Sequence, residues 1–505
     1  MNSSSEHRNE LKQFAVFLGL LTIGFGLTYG IPNAAALRPW LPSEPIPLAR
    51  LLAPQNAVTE DAYGELAAVP EFAPDSSIEA AAEEEIGTAA PVPVSLVSLL
   101  PERPPAVRTV LELPDSGFER LFLSLERAAA GDADHLVRIL HWGDSTIAAD
   151  GIAGRARQRL QARFGDGGPG FLPIHADPRW SYRPGILRIQ EGTWQTLTLT
   201  FAGAEERRYG LAGMVSTTTE EATATLGGER VEGKRKPLHR FDVYYQLQPD
   251  GGGFSVKPSG APGKTLQTAA TKRTDRFVAL EAPNGAKSIH IKADGSGPVS
   301  IYGLAMETKG PGVTWETYGV AGSSTGSMLA HQGPSHMKGQ VSRRKPDLLI
   351  YQTGGNELTY PGLEKEDGEE YEASYLEAFG KMRAGAPDTD CLVIPPVDQA
   401  TRERGRVVSK PQLSKMVRVQ RRAAESAGCA FWDARHAMGG EGSFARWLHH
   451  EPRYAWTDLM HLTTEGADIL GDSLADALLA AYDQWAKNRP TLQPDPADAP
   501  SNDAE

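Results

Sequence analysis

The sequence HWGDST (residues 141–146) directly follows a short apolar run at residues 136–140, and the interpretation of the chain starts from it. The run is partly β-branched and bounded by polar residues, which predicts a buried strand. Residues 150–164 have a helical composition. A strand that ends in Gly-Asp-Ser and turns into a helix leaves Ser145 at the positive end of that helix, where its hydroxyl is exposed and its N–H can bind an oxyanion. The alternative is a plain helix N-cap.

Strand and helix patterns alternate through the remainder of the chain, apart from one internal region. Strands are predicted at residues 314–320, 347–351, 391–394 and 429–432, and helices at 117–130, 368–384, 412–427 and 464–485. This alternation predicts an α/β fold with a parallel sheet and helices on both faces. Ligands of such sheets bind beyond the carboxyl ends of the strands, so we expect the polar clusters that follow the strands to lie together there.

The internal region, residues 180–307, has a different pattern. Short alternating runs, such as Leu and Thr within residues 194–201, are separated by Gly, Pro and Asp turns. This predicts an inserted all-β sandwich. Because it interrupts the chain between two strands of the parallel sheet, we expect its ends near the ligand-binding edge of that sheet, where it could contact a long ligand. Tyr244 and Tyr245 are predicted to lie in its core. Residues 165–170 formally match a dinucleotide-binding glycine pattern, but they follow a helix and include a proline, so we predict a turn.

An N-terminal segment, residues 13–37, contains no charged residue and follows Arg8 and Lys12. It is just long enough to cross a membrane, and we predict an uncleaved transmembrane anchor with the N-terminus inside and the remainder exported. A signal peptide cleaved near Ala36 or Leu37 is the alternative. The Pro-, Ala- and Glu-rich stretch that comes next cannot bury much apolar surface, which predicts a disordered linker.

These patterns predict the domain organisation. In chain order it comprises a cytoplasmic N-terminus (1–12), the anchor or signal (13–37), the linker (38–108), the first part of the α/β domain (109–179), the inserted β domain (180–307), the second part of the α/β domain (308–488) and a disordered tail (489–505).

Charge and cysteine content exclude several classes of protein. The net charge is −13, and no basic patch with interleaved aromatic residues is present, so we predict no nucleic-acid binding. The two cysteines cannot form a disulfide scaffold, and no Cys/His spacing predicts a metal site or a cofactor. Cys391 and Cys429 each open a predicted strand, and neighbouring parallel strands would bring them within disulfide range. A disulfide and two buried free thiols both remain open.

The residues that could carry chemistry follow from what a serine nucleophile requires, namely a base and a group that orients the base. Asp458 and His461 are three residues apart, so in a helical turn the carboxylate can hold the imidazole. Gly322 offers a backbone N–H and Asn356 a side-chain amide. We therefore predict Ser145, Asp458 and His461 as catalytic residues, and an oxyanion hole formed by the N–H of Ser145 with Gly322 and Asn356.

At these positions the chain resembles the SGNH (GDSL-type) hydrolase family, whose four blocks carry Ser, Gly, Asn and His. The matching blocks are GDS at 143–145, GVAG at 319–322, GGNE at 354–357 and DLMH at 458–461, in the order of the family. The resemblance extends over about residues 111–486 and implies a flavodoxin-like parallel sheet. One departure is Glu357, where the commonest pattern has Asp; the charge is kept.

Among SGNH hydrolases the chain is most similar to periplasmic peptidoglycan O-acetylesterases, which carry a β-sandwich, carbohydrate-module-like insert between the first two blocks. Residues 164–171 and 241–245 also look like theirs. The resemblance implies a serine esterase that removes O-acetyl groups from a cell-envelope glycan, with peptidoglycan expected, through a Ser-His-Asp triad and an acyl-enzyme. With the predicted anchor, the resemblance to periplasmic enzymes implies a periplasmic location at the inner membrane, or secretion if residues 13–37 are cleaved. We predict no cofactor.

Three alternatives remain open. GSSTG at 322–326 matches the nucleophile elbow of α/β-hydrolases, which makes Ser324 a rival nucleophile but leaves the Gly-Asp-Ser block and Asn356 unused. An O-acetyltransferase would pass the acyl group to a hydroxyl of an envelope polysaccharide instead of water. A non-catalytic glycan-binding envelope protein would have no use for the combination of Ser145, Asp458 and His461.

Overall fold

The computed structural model describes residues 109–175, 182–200, 203–365 and 367–489. All of them belong to one compact unit, Ala89–Glu505. The predicted N-terminus (1–12), anchor (13–37), linker (38–108) and nearly all of the tail (489–505) lie outside the described residues. Among the helices of the described residues, none is long and apolar enough to cross a membrane.

Strands and helices alternate as predicted in the parts of the chain that flank the internal region. The helices are Glu119–Ala129 (α1), Ser145–Ala148 (α2), Gly151–Phe164 (α3), Thr325–His331 (α4), Pro334–Arg344 (α5), Pro361–Glu364 (α6), Glu369–Arg383 (α7), Leu413–Ser426 (α8), Ala434–Ala437 (α9), Ser443–Leu448 (α10) and Thr464–Asn488 (α11). The strands are Leu136–Gly143 (β1), Gly170–Leu172 (β2), Leu187–Glu191 (β3), Gln195–Thr198 (β4), Met214–Thr218 (β5), Glu221–Gly227 (β6), Arg230–Val231 (β7), Lys234–Arg235 (β8), Leu238–Leu247 (β9), Gly253–Pro258 (β10), Lys264–Gln267 (β11), Thr274–Ala286 (β12), Ser288–Asp294 (β13), Val299–Glu307 (β14), Gly312–Gly319 (β15), Leu348–Gln352 (β16), Asp390–Ile394 (β17), Ala400–Glu403 (β18), Arg406–Ser409 (β19) and Ala430–Phe431 (β20).

A parallel sheet with the strand order β15-β1-β16-β17-β20 forms the centre of the α/β domain. Gly143 at the end of β1 lies opposite Gly319 of β15 and Gln352 of β16. The carboxyl ends of these three strands therefore lie at the same level, as expected for the ligand-binding edge of such a sheet. The predicted α/β fold with a parallel sheet is confirmed.

The two faces of this sheet have separate apolar cores because side chains alternate along each strand. Ile139 and Trp315 on one face pack with residues of α1, α3 and α11. Leu140 and Trp142 on the other face pack with residues of α5, α7 and α8. Helices therefore cover both faces, as predicted.

Between the first and second parts of the α/β domain, the described strands form two larger antiparallel sheets. Their orders are β11-β10-β13-β6-β3 and β12-β9-β14-β5-β4. β2 pairs with β14, so the antiparallel region includes a strand that precedes residue 180, where we placed the boundary. Tyr244 and Tyr245 are buried, as predicted for core residues.

The second of these sheets also packs against the parallel sheet. Leu199, Tyr209 and Tyr244 of the β region belong to the same apolar cluster as Trp142 and Tyr318. The indole Nε1 of Trp142 also donates a hydrogen bond to the carbonyl of Leu211 at 2.9 Å. The β region thus covers part of one face of the parallel sheet in place of a helix, which the sequence patterns did not predict.

The cysteines lie at the amino ends of neighbouring parallel strands. Cys391 is in β17, Cys429 immediately precedes β20, and the two strands pair at Leu392 and Ala430. The two cysteines form a disulfide. Of the two alternatives that the sequence left open, the structure contains the disulfide and no free thiol in its described residues.

Candidate active site

Ser145 is held at the end of β1 by a close contact between strand and helix. Asp144 is the N-cap of α2, and its Oδ1 accepts a hydrogen bond from the N–H of Thr146 at 2.9 Å. A Cβ added to Gly319 would overlap the backbone nitrogen of Ala148. Only glycine therefore lets α2 lie directly against β15, and this contact fixes the position of Ser145.

The three predicted catalytic residues form one chain of hydrogen bonds. Ser145 Oγ is 2.8 Å from His461 Nε2, and His461 Nδ1 is 2.7 Å from Asp458 Oδ2. The serine and the histidine are 316 residues apart in the chain. Such a chain allows the imidazole to take the serine proton while the carboxylate orients the ring.

The loop that carries Asp458 and His461 differs from the helical turn that we predicted. Asp458 Oδ1 accepts hydrogen bonds from the N–H groups of Met460 at 2.9 Å and His461 at 3.0 Å. Leu459 has a positive φ of 64°, which a helical turn does not allow. One oxygen of the Asp458 carboxylate thus stabilises the loop through these two backbone hydrogen bonds, and the other oxygen bonds to the imidazole of His461.

The pKa values of the pair shift in opposite directions. Burial lowers the pKa of His461, but the hydrogen bond and charge of Asp458, with the charge of Asp144, outweigh burial and raise it above 6.5. Burial raises the pKa of Asp458, but hydrogen bonds from His461 and Met460 outweigh it and lower the pKa. Together, the lowered pKa of Asp458 and the raised pKa of His461 mean that the pair favours its ionised form, a carboxylate beside an imidazolium.

The two remaining predicted oxyanion residues lie in loops that are joined to the end of β1. Gly143 O accepts hydrogen bonds from Val320 N at 3.2 Å and from Ser323 Oγ at 3.1 Å. Asn356 Nδ2 donates to Ser323 O at 3.0 Å. Gly322, in the same loop, is exposed and has a φ of +75°. The loop after β15 is therefore bonded both to β1 and to the loop that carries Asn356.

Glu357, the departure from the commonest SGNH pattern, connects the two loops from below. It is buried, and its Oε1 accepts hydrogen bonds from Thr325 N and Thr353 Oγ1, both at 2.9 Å. Burial raises the pKa of Glu357, and these hydrogen bonds offset part of the rise. Glu357 therefore supports the start of α4 and the loop after β16.

The rival nucleophile Ser324 has a structural role in the same loop. It is the N-cap of α4, and its Oγ accepts a hydrogen bond from Ser327 N at 3.1 Å. Its hydroxyl also lies 3.1 Å from Ser327 Oγ. The residues to which Ser324 bonds include no base, which favours Ser145 over Ser324 as the nucleophile.

Residues near the site that sequence reasoning missed come from two other segments. Lys410 Nζ donates to Gln399 Oε1 at 2.8 Å, and a Cβ on Gly355 would overlap Gln399 Nε2. Thr200 Oγ1 donates to Ala321 O at 3.1 Å, so the β region contacts the loop of Gly322. The nearest sequence signal for Gln399 is its place shortly after the end of β17, the side where ligands bind.

For metal ions, the described residues offer no group of three or more His, Cys, Asp and Glu side chains that could hold one.

Residues 293–469 match the sequence model of the GDSL-like Lipase/Acylhydrolase family. The match includes Gly322, Asn356, Asp458 and His461, whereas Ser145 lies outside it, on the other side of the β region. The part of the chain from residue 293 to residue 469 is therefore similar in sequence to GDSL-like (SGNH) hydrolases. The protein is accordingly an enzyme of the carboxylic ester hydrolase kind.

Solved structures of several esterases are similar to this chain to different degrees, and the first of them shares its fold. A peptidoglycan O-acetylesterase has 22% sequence identity and a TM-score of 0.61 over 72% of this chain and 96% of its own. A family two carbohydrate esterase from Cellvibrio japonicus has 10% identity and a TM-score of 0.25 over 59% of this chain and 99% of its own. An acetyl xylan esterase has 16% identity and a TM-score of 0.25 over 33% and 81%. No curated protein sequence matches the chain.

Proposed function

We propose that the protein is a serine esterase that removes O-acetyl groups from a cell-envelope glycan, with peptidoglycan as the expected substrate. The observation that carries the proposal is the chain of hydrogen bonds from Ser145 through His461 to Asp458. A protein that only binds glycan needs no such arrangement. The similarity to a peptidoglycan O-acetylesterase over most of both chains supports the choice of substrate.

In the acylation step, Ser145 Oγ attacks the acetyl carbonyl carbon while His461 Nε2 takes the hydroxyl proton. Asp458 holds the imidazole through Nδ1–H and stabilises the imidazolium. The negative charge on the carbonyl oxygen is stabilised by the N–H groups of Ser145 and Gly322 and by the second N–H of the Asn356 amide. When the tetrahedral intermediate collapses, the bond to the sugar oxygen breaks and His461 returns the proton to that oxygen.

The acetyl group then leaves the enzyme by the reverse sequence with water. His461 takes a proton from a water molecule, whose oxygen attacks the carbonyl carbon of the acyl-enzyme. Collapse of the second tetrahedral intermediate breaks the bond to Ser145 Oγ, which recovers its proton from His461. The products are free acetate and the deacetylated sugar hydroxyl.

We further propose that the enzyme acts in the periplasm, anchored to the inner membrane by residues 13–37. The disulfide between Cys391 and Cys429 supports export, because disulfides persist in oxidising compartments. Membrane fractionation of the full chain tests the anchor. A soluble mature protein that begins near Ala36 or Leu37 would instead show a cleaved signal.

The esterase proposal is tested by incubating the full chain with acetylated peptidoglycan and measuring free acetate. We expect Ser145→Ala to reduce acetate release by at least ~10³-fold with an unchanged fold, since the nucleophile is lost. Ser324→Ala is the matched control and should keep most of the activity. The opposite result for the two variants would move the nucleophile to Ser324, and no acetate release by the wild type would refute the substrate.

A further inference from the structure

We propose that Lys410 binds a carboxylate on the alcohol side of the substrate, so that the enzyme prefers an acetylated acidic glycan to a neutral one. This inference rests on the proposed esterase function and adds the charge of the glycan that the site selects.

Lys410 lies among the loops that carry the catalytic residues. It directly follows β19; its backbone N–H donates to Gln399 O and its Nζ donates to Gln399 Oε1, both at 2.8 Å. Gln399 in turn packs over Gly355, the residue before the predicted oxyanion donor Asn356. The charge of Lys410 also acts on His461, whose pKa it lowers. Lys410 is therefore placed between the loop that follows β16 and the loop of the base.

The direction of the reaction decides which part of the substrate lies near Lys410. The acetyl oxygen must point to the donors of Gly322 and Asn356, whereas the sugar oxygen must lie near His461, which protonates it. Groups beside His461 and Asp458 therefore contact the sugar and not the acetyl group. Lys410 belongs to this alcohol side of the site.

The surroundings of Lys410 lack an anionic partner at contact distance. The side chain is half-buried and bonds to a neutral amide oxygen, and no described Asp or Glu forms an ion pair with it. Burial lowers the pKa of Lys410, and the charge of Asp458 offsets part of the shift. A half-buried ammonium group without an ion-pair partner is costly, and a substrate carboxylate would supply that partner.

The β18–β19 hairpin places a second cation, Arg406, on the same face as Lys410 and farther from the site. Side chains alternate between the faces of a strand, so Lys410, Val408 and Arg406 share one face of the β18–β19 hairpin. At about 3.4 Å per residue, Arg406 lies roughly 14 Å from Lys410 along the strand. Arg402 lies on the opposite face, because it pairs with Val407. A polymer that leaves the site along the first face would meet a second cation.

The base of this hairpin is held rigidly. Asp398, which is fully buried, accepts hydrogen bonds from Ser409 Oγ at 2.7 Å and Phe444 N at 3.1 Å and forms an ion pair with Arg435. Ala400 N also donates to Leu459 O at 2.9 Å, which joins the hairpin to the loop of the proposed base. The position of Lys410 relative to His461 is therefore set by packed contacts and not by an independent loop.

The test compares acetate release from two acetylated sugars that differ only in one group, a carboxylate in the first and its primary amide in the second. We expect the wild-type full chain to show a kcat/KM ratio of about tenfold in favour of the carboxylate, in line with charge-assisted hydrogen bonds. Lys410→Met should reduce this ratio to about one, and Lys410→Arg should keep most of it. Arg402→Met, on the opposite face of the hairpin, should leave it unchanged.

Rates are compared at a pH where kcat/KM has reached its plateau in every variant, because removal of the Lys410 charge also alters the pKa of His461. A wild-type ratio near one, or a ratio that Lys410→Met leaves unchanged, would overturn the inference while leaving the esterase proposal intact. Failure of the wild type to release acetate from either sugar would instead refute the esterase proposal.

A longer substrate tests whether Arg406 also binds an acidic glycan. Arg406→Met should lower kcat/KM for an acidic oligosaccharide ester more than for the single acidic sugar, whereas Arg402→Met should affect both equally. We expect a loss of only a few fold, because Glu403 lies directly opposite Arg406 on the same face and opposes its charge. Equal effects of the two arginine substitutions would refute the extended binding face.

Discussion

At the scale of single residues, the imidazole of His461 lies near two carboxylates that act on it differently. Asp458 contacts it directly, whereas Asp144 is almost fully buried and raises the pKa of His461 only through its charge. Burial raises the pKa of Asp144 itself, and the hydrogen bond from Thr146 offsets part of that rise. The base is thus adjusted by one partner that orients it and one that acts at a distance.

These shifts predict the pH dependence of the esterase. Because the pKa of His461 is raised above 6.5, the neutral imidazole, the form that can accept the Ser145 proton, becomes the major form only at a pH above that value. We therefore expect kcat/KM for a neutral acetyl ester to rise with pH through an apparent pKa above 6.5. An apparent pKa below 6.5 would contradict the raised pKa of His461.

Replacement of Asp458 should shift the acid limb of the pH profile of kcat/KM and slow the reaction. In Asp458→Asn the carboxylate that raises the pKa of His461 is gone while burial remains, so the acid limb should move to lower pH. The value of kcat should also fall by roughly 10⁴-fold, because the ring is no longer held in the reactive tautomer. Complete pH–rate profiles of both proteins measure the two effects, and an unmoved acid limb would refute the proposed pairing.

At the scale of elements, the contact between α2 and β15 at Gly319 can be tested by comparing an alanine substitution there with one at Gly380, where an added Cβ has free space. Gly319→Ala should displace Ser145 and lower kcat by at least ~10²-fold, because its Cβ would overlap Ala148 N. Gly380, inside α7, has no atom within 4 Å of an added Cβ. Gly380→Ala should keep the activity and raise stability by about 0.5–1 kcal/mol. Similar activity in both variants would refute the proposed role of the contact.

The disulfide ties two strands at the edge of the parallel sheet. Since it closes a loop with a sequence separation of 38 residues, the double variant Cys391→Ala/Cys429→Ala should lose about 2–4 kcal/mol of unfolding free energy. Urea unfolding of both proteins measures the difference, with reductant added to the wild type as a second comparison. Two free thiols in the denatured, unreduced wild-type protein would refute the bond.

Elements with a strong pattern were predictable from the sequence, and those without one were not. The strand before Ser145 and the last helix have sustained apolar periodicity, and the structure contains them as Leu136–Gly143 and Thr464–Asn488. The β18–β19 hairpin carries several charged residues and shows no apolar alternation, so no pattern indicated it. Gln399 and Lys410 were not predicted as site residues for the same reason, because they approach the site only through this hairpin, whose sequence has no apolar alternation.

The candidate site was predictable for a different reason. The blocks of Ser145, Gly322 and Asn356 each follow a strand, and a parallel sheet brings its strand ends to one edge, so these residues were expected to meet there. Asp458 and His461 follow two short helices instead, and they were expected near Ser145 because a serine nucleophile needs a base. The local form of the Asp458 loop was not predictable, because a positive φ at Leu459 leaves no sign in residue spacing. The backbone around a catalytic carboxylate depends on hydrogen bonds that a sequence pattern does not show.

At the scale of the whole molecule, the β region is part of the core of the hydrolase domain. Its Tyr209 and Tyr244 belong to the same apolar cluster as Trp142 and Tyr318, and Trp142 Nε1 donates a hydrogen bond to its backbone at Leu211 O. Periodicity indicated that this face of the sheet is apolar but could not indicate which surface covers it. A role of the β region in glycan recognition therefore has to be tested by substitutions on its exposed surface, since its removal would uncover the core.

Deletion of residues 170–307 should consequently abolish folding and not merely polymer binding. Exposing the apolar face of β1 and β15 to water would cost more free energy than the unfolding free energy of a typical domain, which is only about 5–15 kcal/mol. Near-ultraviolet circular dichroism and thermal unfolding measure the outcome. Insertion of two glycines into the exposed turn at Glu232 and Gly233 is the matched control and should melt like the wild type. A deletion variant that unfolds cooperatively would contradict the shared core.

The pairing of β1 with β15 also sets the order in which a growing chain can be completed on the ribosome. The strand that precedes Ser145, Leu136–Gly143, is synthesised early, but its partner at Gly312–Gly319 follows only after the whole β region. We expect the antiparallel sheets to form first, because their last strand, Val299–Glu307, is made before β15. They would then offer β1 a surface to pack on while the remainder of the parallel sheet emerges. His461 comes last of the proposed catalytic groups, so we expect the β region to fold before the proposed site can be completed.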